Sequence, residues 1–110
     1  MTGARDAVTD PVVGALIDAI NAGDRDAFFA VLSDDATMSD DGSERNLAEW
    51  VDREIFGVNG RMEVESATDG GRSLVAGFRN DTWGAMRTGW SFTVDGDRIS
   101  RFETGQAPRG

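Results

Sequence analysis

The spacing of the apolar residues changes once along this chain, near Gly60, and that change constrains the fold more than any other feature. Before Gly60 the apolar residues recur every three or four positions, as on one face of a helix. After Gly60 they alternate with polar residues, as in half-buried strands. Helices followed by antiparallel strands predict one α+β domain, with the helices packed against one face of the sheet.

The first two helices are predicted to form a hairpin. Asp10 is suited to cap the first helix, and Pro11 suits its first turn, where the missing N–H needs no partner. This helix is predicted to end at residues 21–23, and Asp24 to cap the second helix. The apolar stripes of the two helices are Val13, Leu16, Ile17 and Ile20, and then Phe28, Val31 and Leu32.

A third helix is predicted after a brief extended segment, residues 36–39, and a polar loop, residues 40–45. Asn46 with Glu49 three residues later resembles a capping box, which places the start of this helix. Gly57 is a suitable place for it to stop. The apolar face of the helix contains Leu47, Trp50, Val51 and Ile55.

Four strands are predicted after Gly60, joined as a meander by turns at 69–71, 80–81 and 95–96. The first strand includes Met62, and the second is residues 73–80. The third begins at Met86, and its inward face is predicted to carry Met86, Thr88, Trp90, Phe92 and Val94. The last strand is residues 98–104, which needs a bulge if both of its apolar residues are to face the core.

The composition excludes several classes of protein. At 110 residues the chain has room for one core, and its net charge of −9 disfavours binding to nucleic acid, which needs a positive surface. No apolar run approaches the roughly 20 residues that span a bilayer, and the N-terminus lacks the apolar stretch of a secretory signal. We therefore expect a cytoplasmic protein that binds neither nucleic acid nor membrane.

The missing residue types narrow the chemistry. The chain has no histidine, cysteine or tyrosine, so the usual near-neutral base, the thiolate nucleophile and the phenolic donor are all absent. Its acidic residues show no spacing typical of metal ligands, so we expect no metal and no cofactor. Any reaction has to use carboxylates, arginines, hydroxyl groups or water.

The stretch INAGDRDAFFAVLSDDATMSDDGS, residues 20–43, resembles the nuclear transport factor 2-like superfamily, which includes the SnoaL-like and ketosteroid isomerase-like proteins. The meander with DGDRI before its last strand, residues 95–99, fits the same family, and the resemblance covers residues 8–105. It implies a cone, in which a strongly curved, mostly antiparallel sheet wraps around the helices and leaves an apolar pocket. It also implies a homodimer through the outer sheet face, with residues 1–7 and 106–110 as loose termini.

The resemblance makes Asp40 the candidate catalytic residue. In the isomerase branch an aspartate two residues after the AT-x of the motif is the general base, and DDATMSD places Asp40 there. Burial in an apolar pocket would raise the pKa of such a carboxyl group and make it a useful proton acceptor. The two donors of that branch fall on Leu16 and near Gly89, whose side chains cannot donate, so steroid isomerisation is not expected. The alternative is that Asp40 is a turn residue that accepts backbone hydrogen bonds.

A set of mostly apolar residues is predicted to line the pocket. Its members can equally fill the core between the sheet and the helices, and both possibilities stay open at this point. Glu103, near the end of the last strand, is expected to reach the open end of the cone and to share a proton with Asp40. The predicted ligand-binding residues are Leu16, Met38, Trp50, Phe56, Met86, Trp90, Phe92, Phe102 and Glu103.

Three functions are compatible with this sequence. The first is binding of a small hydrophobic molecule in the pocket without chemistry. The second is an isomerase, cyclase or hydrolase that uses Asp40 as its general base. The third is a structural or interaction domain with a vestigial pocket.

Overall fold

The structure of the protein, a computed structural model, describes residues 3–107. These residues form three α-helices, which are α1 (Pro11–Ala22), α2 (Arg25–Ala30) and α3 (Leu47–Glu54). They also form six strands, which are β1 (Leu32–Asp40), β2 (Ser43–Arg45), β3 (Arg61–Thr68), β4 (Ser73–Asn80), β5 (Gly84–Asp95) and β6 (Arg98–Gln106). Short 3-10 helices span Gly3–Ala7, Phe56–Val58 and Asp69–Gly71. The predicted α+β class is confirmed.

The six strands form one mixed sheet in the order β2-β1-β6-β5-β4-β3. All neighbouring strands are antiparallel except β1 and β6, which are parallel. The register shifts in three of the five pairings, and such bulges bend a sheet and increase its twist. One shift lies between β5 and β6 and allows both Ile99 and Phe102 to be fully buried, as the sequence requires. The sheet therefore curves around α1 and α3.

The start of α1 is fixed by Asp10, as predicted. Its Oδ1 atom accepts the N–H of Val12 at 2.9 Å and that of Val13 at 3.4 Å, and its Oδ2 atom accepts from the Arg72 side chain at 3.0 Å. Desolvation alone would raise the pKa of Asp10, but these hydrogen bonds together hold that pKa below its ordinary value of 3.8. Asp10 therefore joins the helix to the turn between β3 and β4.

We expect Asp10→Ala to lower the free energy of unfolding by about 1–2 kcal/mol at pH 7, because the helix loses its cap. Asp10→Asn keeps a capping oxygen and removes only the charge. Because its pKa is lowered, the Asp10 carboxylate stays charged in the folded chain to a lower pH than in the unfolded chain. The charge therefore stabilises the fold above pH 3.8, and this contribution is lost as the pH falls through the folded-state pKa. Urea unfolding at several pH values should show Asp10→Asn approaching the wild type at low pH. A constant difference would contradict this.

The core between the helices and the sheet is rich in aromatic rings. Phe102 is fully buried at its centre, with ring centroids 6.2 Å from Phe28, 6.1 Å from Trp50, 5.8 Å from Trp90 and 6.4 Å from Phe92. The alternation in β5 is confirmed where the strand crosses the core, since Thr88, Trp90 and Phe92 are all buried. This cluster supports the inner face of the sheet near its open end.

The segment between α2 and α3 differs from the prediction. The extended segment is longer than 36–39, because β1 pairs with β6 on one side and β2 on the other. The predicted polar loop contains a tight hairpin turn, in which Asp41 and Gly42 adopt positive φ angles of 50° and 83°. Asp-Gly is a strong signal for such a turn between two strands. The acidic stretch is therefore mainly strand.

Regular structure is also found outside residues 8–105. Residues 3–7 form a 3-10 helix, from which the Arg5 side chain donates to Gly14 O at 3.3 Å and pairs with Asp18 at 3.0 Å. At the other end β6 continues to Gln106. Of the predicted loose termini, residues 1–2 and 108–110 lie outside the described residues.

Candidate functional site

A cleft opens at one end of the sheet, where β1, β4 and β6 end and β5 begins, and α3 forms its opposite wall. Its volume is about 610 Å³. Small-molecule sites commonly have volumes of about 300–1,000 Å³. The cleft is therefore large enough for a molecule of several rings.

Two tryptophans form the apolar floor of the cleft. Trp50 on α3 and Trp90 on β5 are only 5% and 3% exposed, and their rings meet edge to face, with centroids 6.3 Å apart at 71°. The Trp90 Nε1–H donates to Thr88 Oγ1 at 2.8 Å, and the Thr88 hydroxyl donates to Ala76 O at 3.1 Å. Because this polar atom is satisfied within the protein, the floor is held in place, and the small part of the Trp90 ring that borders the cleft is apolar.

Asp40 lies in the cleft beside this floor. It is the last residue of β1, and its Oδ2 atom accepts the Nε1–H of Trp50 at 3.0 Å. No residue from 5 to 107 donates to its Oδ1 atom within hydrogen-bond distance. The structure thus places one carboxylate oxygen on the indole and leaves the other available to a bound molecule.

The third tryptophan, Trp83, stands at the rim of the cleft and is 63% exposed. Its Nε1–H donates to Glu54 Oε1 at 2.9 Å, and the other oxygen of Glu54 pairs with Arg53 at 3.1 Å. The buried Asn80 side chain shapes the loop that carries Trp83, because it accepts two backbone N–H groups of the loop and donates to Glu54 O. This network positions a large apolar ring where the cleft meets solvent.

Two arginines lie at the mouth of the cleft, and only one of them is paired with an acidic residue within residues 5–107. Arg53 is paired with Glu54, as described above. Arg45 on the short edge strand β2 is exposed, and within residues 5–107 it has neither an ion pair nor a side-chain hydrogen bond. Asp41 also borders the cleft, where its Oδ1 atom accepts the Gln106 N–H at 3.0 Å.

The structure brings some of the predicted site residues together at this cleft. Asp40, Trp50, Met86 and Trp90 line it. Four others lie outside the lining, within the core or against it: Leu16, Met38, Phe92 and Phe102. Phe56 is half-buried and packs edge to face on Phe28, with centroids 5.5 Å apart. Alternation along a strand sets which face a residue occupies, and depth in the fold then decides between core and cleft.

Glu103 lies on the other face of the sheet from Asp40. Because its neighbours Phe102 and Thr104 face inward, Glu103 faces outward, where it pairs with Arg101 at 3.2 Å. The predicted proton sharing between Glu103 and Asp40 is therefore not made in this structure.

Other residues of the cleft were not predicted from the sequence. Thr104 lines it because β6 pairs with β1, and Gly105 and Gln106 line it because β6 runs two residues further than expected. Arg45, Arg53, Glu54, Phe78, Asn80 and Thr88 also line it. The Asn80-Asp81 turn signal was visible, but nothing in the sequence showed that the Asn80 side chain turns inward.

Two classes of feature are absent from the described part of the chain. Between residues 3 and 107 no group of acidic side chains is placed so that it could hold a metal ion. No helix in that range is long and apolar enough to cross a membrane.

No protein-family model matches the chain, and no curated protein sequence matches it. Solved structures do. An NTF2-like protein of unknown function from Cytophaga hutchinsonii has a TM-score of 0.74 and 15% identity, over 91% of this chain and 90% of that one. A candidate polyketide cyclase from Sinorhizobium meliloti has a TM-score of 0.69 and 24% identity, over 84% and 92%.

A third similar structure is an uncharacterised cystatin-fold protein from Novosphingobium aromaticivorans, with a TM-score of 0.66 and 21% identity, over 84% and 93% of the two chains. At such identities the likeness shows the fold, and function has to be argued from the cleft itself. The resemblance seen in the sequence is confirmed at this level: the chain has the cone fold of the nuclear transport factor 2-like proteins.

Proposed function

We propose that the protein binds a small, largely apolar molecule in the cleft. The observation that carries the proposal is that all three tryptophans of the chain, Trp50, Trp83 and Trp90, line this one cavity. Aromatic rings around a concave site with a few polar groups are typical of small-molecule sites. Each indole N–H is already bonded within the protein, so the parts of the three rings that border the cleft, mainly those of Trp83, offer apolar contact to a ligand.

The exposed ring of Trp83 supports the same proposal. An indole that stays 63% exposed gains little from burial, yet a hydrogen bond to Glu54 and a loop shaped by Asn80 hold it at the rim. A bound molecule would cover part of this ring and gain roughly 25 cal/mol for each Å² of apolar surface removed from water.

An enzymatic role for Asp40 is the second candidate. It is favoured by the position of this carboxylate in the cleft and by the likeness to candidate polyketide cyclases. Two residue identities make it the weaker one: the aliphatic side chain of Leu16 cannot donate a hydrogen bond and Gly89 has no side chain, so neither position supplies the donors that the isomerase branch uses. Losing one such donor typically costs about 10²–10³ in rate. Binding without chemistry is the better-supported function.

Titration with N-phenyl-1-naphthylamine, a neutral probe that fluoresces in apolar sites, tests the binding proposal. We expect saturable binding to the wild type. Met86→Trp should weaken it by about tenfold or more, or about 1.4 kcal/mol, because the larger side chain fills the cleft. The matched control is Thr93→Trp, an exposed position on the same strand, which should leave the affinity unchanged.

Two outcomes would contradict the proposal. A wild type that binds no probe would favour a structural domain with a vestigial pocket. If Met86→Trp and Thr93→Trp lower the probe affinity equally, the probe binds outside the cleft. The homodimer through the outer sheet face and the cytoplasmic location stay predictions.

A further inference from the structure

The Asp40 oxygen that has no donor within the described residues favours one kind of ligand group. Its Oδ2 atom is bonded to Trp50, while Oδ1 has no donor from residues 5–107. A carboxylate beside apolar rings is stabilised most by a charged donor, because charge-assisted hydrogen bonds are about twice as strong as neutral ones. An ammonium or amidinium group would satisfy this oxygen better than a hydroxyl.

The surroundings of Asp40 favour the same kind of group. Trp50 and Trp90 are only 5% and 3% exposed, so they border the cleft with small parts of their rings, and Asp40 is bonded to the edge of one of them. Charges interact more strongly where apolar groups exclude water. A positively charged nitrogen is therefore attracted more strongly to this carboxylate than to one on the exposed surface.

The charges around the cleft do not oppose a cation. Three acidic residues line it, Asp40, Asp41 and Glu54, against two arginines, Arg45 and Arg53. Glu54 and Arg53 neutralise each other. The whole chain carries a net charge of −9, and a field of that sign attracts cations and repels anions.

Arg45 offers the opposite possibility, an anionic ligand held at the mouth. The Arg45 side chain is exposed on an edge strand, where water screens its charge. The Asp40 side chain is half-buried and bonded to the Trp50 indole. The cationic site is therefore the better defined of the two. We infer that the ligand carries a positively charged nitrogen, bound by Asp40 Oδ1. This inference rests on the proposed function and specifies the class of its ligand.

Three compounds with one ring system separate the possibilities: 2-(naphthalen-2-yl)ethylamine, 2-(naphthalen-2-yl)ethanol and 3-(naphthalen-2-yl)propanoate. At neutral pH they carry an ammonium, a hydroxyl and a carboxylate. We expect calorimetry to show the amine binding at least tenfold more tightly than the alcohol, and the acid binding most weakly. In ¹H–¹⁵N spectra the amine should shift the Trp50 indole N–H signal, since that group is bonded to Asp40.

Two variants identify the group responsible. Asp40→Asn keeps an oxygen for the Trp50 N–H and removes the charge, so it should reduce the amine affinity about tenfold and the alcohol affinity less than twofold. Arg45→Gln removes a positive charge from the cleft mouth, so it should not weaken the binding of the amine. The comparison of the three compounds on the wild type needs no variant, so it decides the matter even if Asp40→Asn does not fold.

Each other outcome overturns a specific statement. Equal binding of amine and alcohol would overturn the cation inference and leave the proposed function standing. Tightest binding of the acid, lost in Arg45→Gln, would replace it with an anionic ligand. Binding of N-phenyl-1-naphthylamine but of none of the three compounds would also overturn the inference, whereas failure of all four compounds would overturn the proposed function itself.

Discussion

Replacing Phe102 by alanine is expected to lower the free energy of unfolding by about 3–5 kcal/mol. Phe102 is fully buried and lies within 6.4 Å, between ring centroids, of Phe28, Trp50, Trp90 and Phe92. Its loss removes buried apolar surface and leaves a cavity, because the four large neighbouring rings cannot all move in to fill it. Domains of this size are typically stable by about 5–15 kcal/mol, so this variant should be close to unfolding.

Urea unfolding followed by circular dichroism measures this effect. Phe102→Leu is the matched control, because it keeps most of the volume and should lose no more than about 1–2 kcal/mol. Trp83→Ala, which removes a ring that is 63% exposed, should cost less than either core variant. A loss below about 1 kcal/mol for Phe102→Ala would mean that the aromatic cluster is not the centre of the core.

Gly71→Ala is expected to lower the free energy of unfolding by about 2–4 kcal/mol, from two independent causes. The glycine has a φ angle of +104°, which an L-residue adopts only with strain. A Cβ atom there would lie 2.7 Å from Val8 Cγ1 and 3.1 Å from two further Val8 atoms. Val8 is buried and β-branched, so its side chain has little freedom to move away.

Gly96→Ala is the control without a clash. Gly96 has a φ angle of +66°, but no atom lies within 4 Å of the position that its Cβ would take. This variant should show the strain of an ordinary left-handed residue, about 1 kcal/mol. Chemical denaturation of the two variants side by side gives the added cost of the clash with Val8 and of the larger φ angle at Gly71. If Gly71→Ala is no less stable than Gly96→Ala, the contact between the N-terminal segment and the β3–β4 turn is looser than the structure indicates.

The Gly71 variant also tests how the helices are held against the sheet. The same turn accepts the Asp10 N–H through Gly70 O at 2.9 Å, and its Arg72 pairs with the Asp10 carboxylate at 3.0 Å. A shift of this turn would therefore disturb the start of α1. The cleft lies at the opposite end of β4, so we expect Gly71→Ala to change stability more than probe affinity.

Local sequence signals determined a large part of this structure. Asp10 and Asn46 cap α1 and α3 as predicted, because a cap depends on one side chain and the N–H groups two or three residues later. β4 spans the predicted residues 73–80, and the alternation of β5 places Trp90 and Phe92 inward. The period of two is a property of the extended backbone itself, so it can be read from the residues alone.

The cleft was only partly predictable, because its lining depends on distant partners. The parallel pairing of β1 with β6 joins segments more than 60 residues apart and carries no local signal, yet it brings Asp40 opposite Thr104. Alternation correctly divided inward from outward residues in β5 but could not tell Trp90 in the cleft from Phe92 in the core. How deeply each of these two residues lies is set by the packing of α3 across the sheet.

The sequence by itself determined the fold class, the helix starts, the hairpin turns and the set of aromatic residues that face inward, since these follow from neighbouring residues and backbone geometry. Only the tertiary structure decided which of them border the cleft. It also decided that Glu103 pairs with Arg101 on the outer face and that Trp50 bonds one oxygen of Asp40. These are contacts between segments far apart in the chain, and the energy of such a contact depends on a partner that the local sequence does not contain.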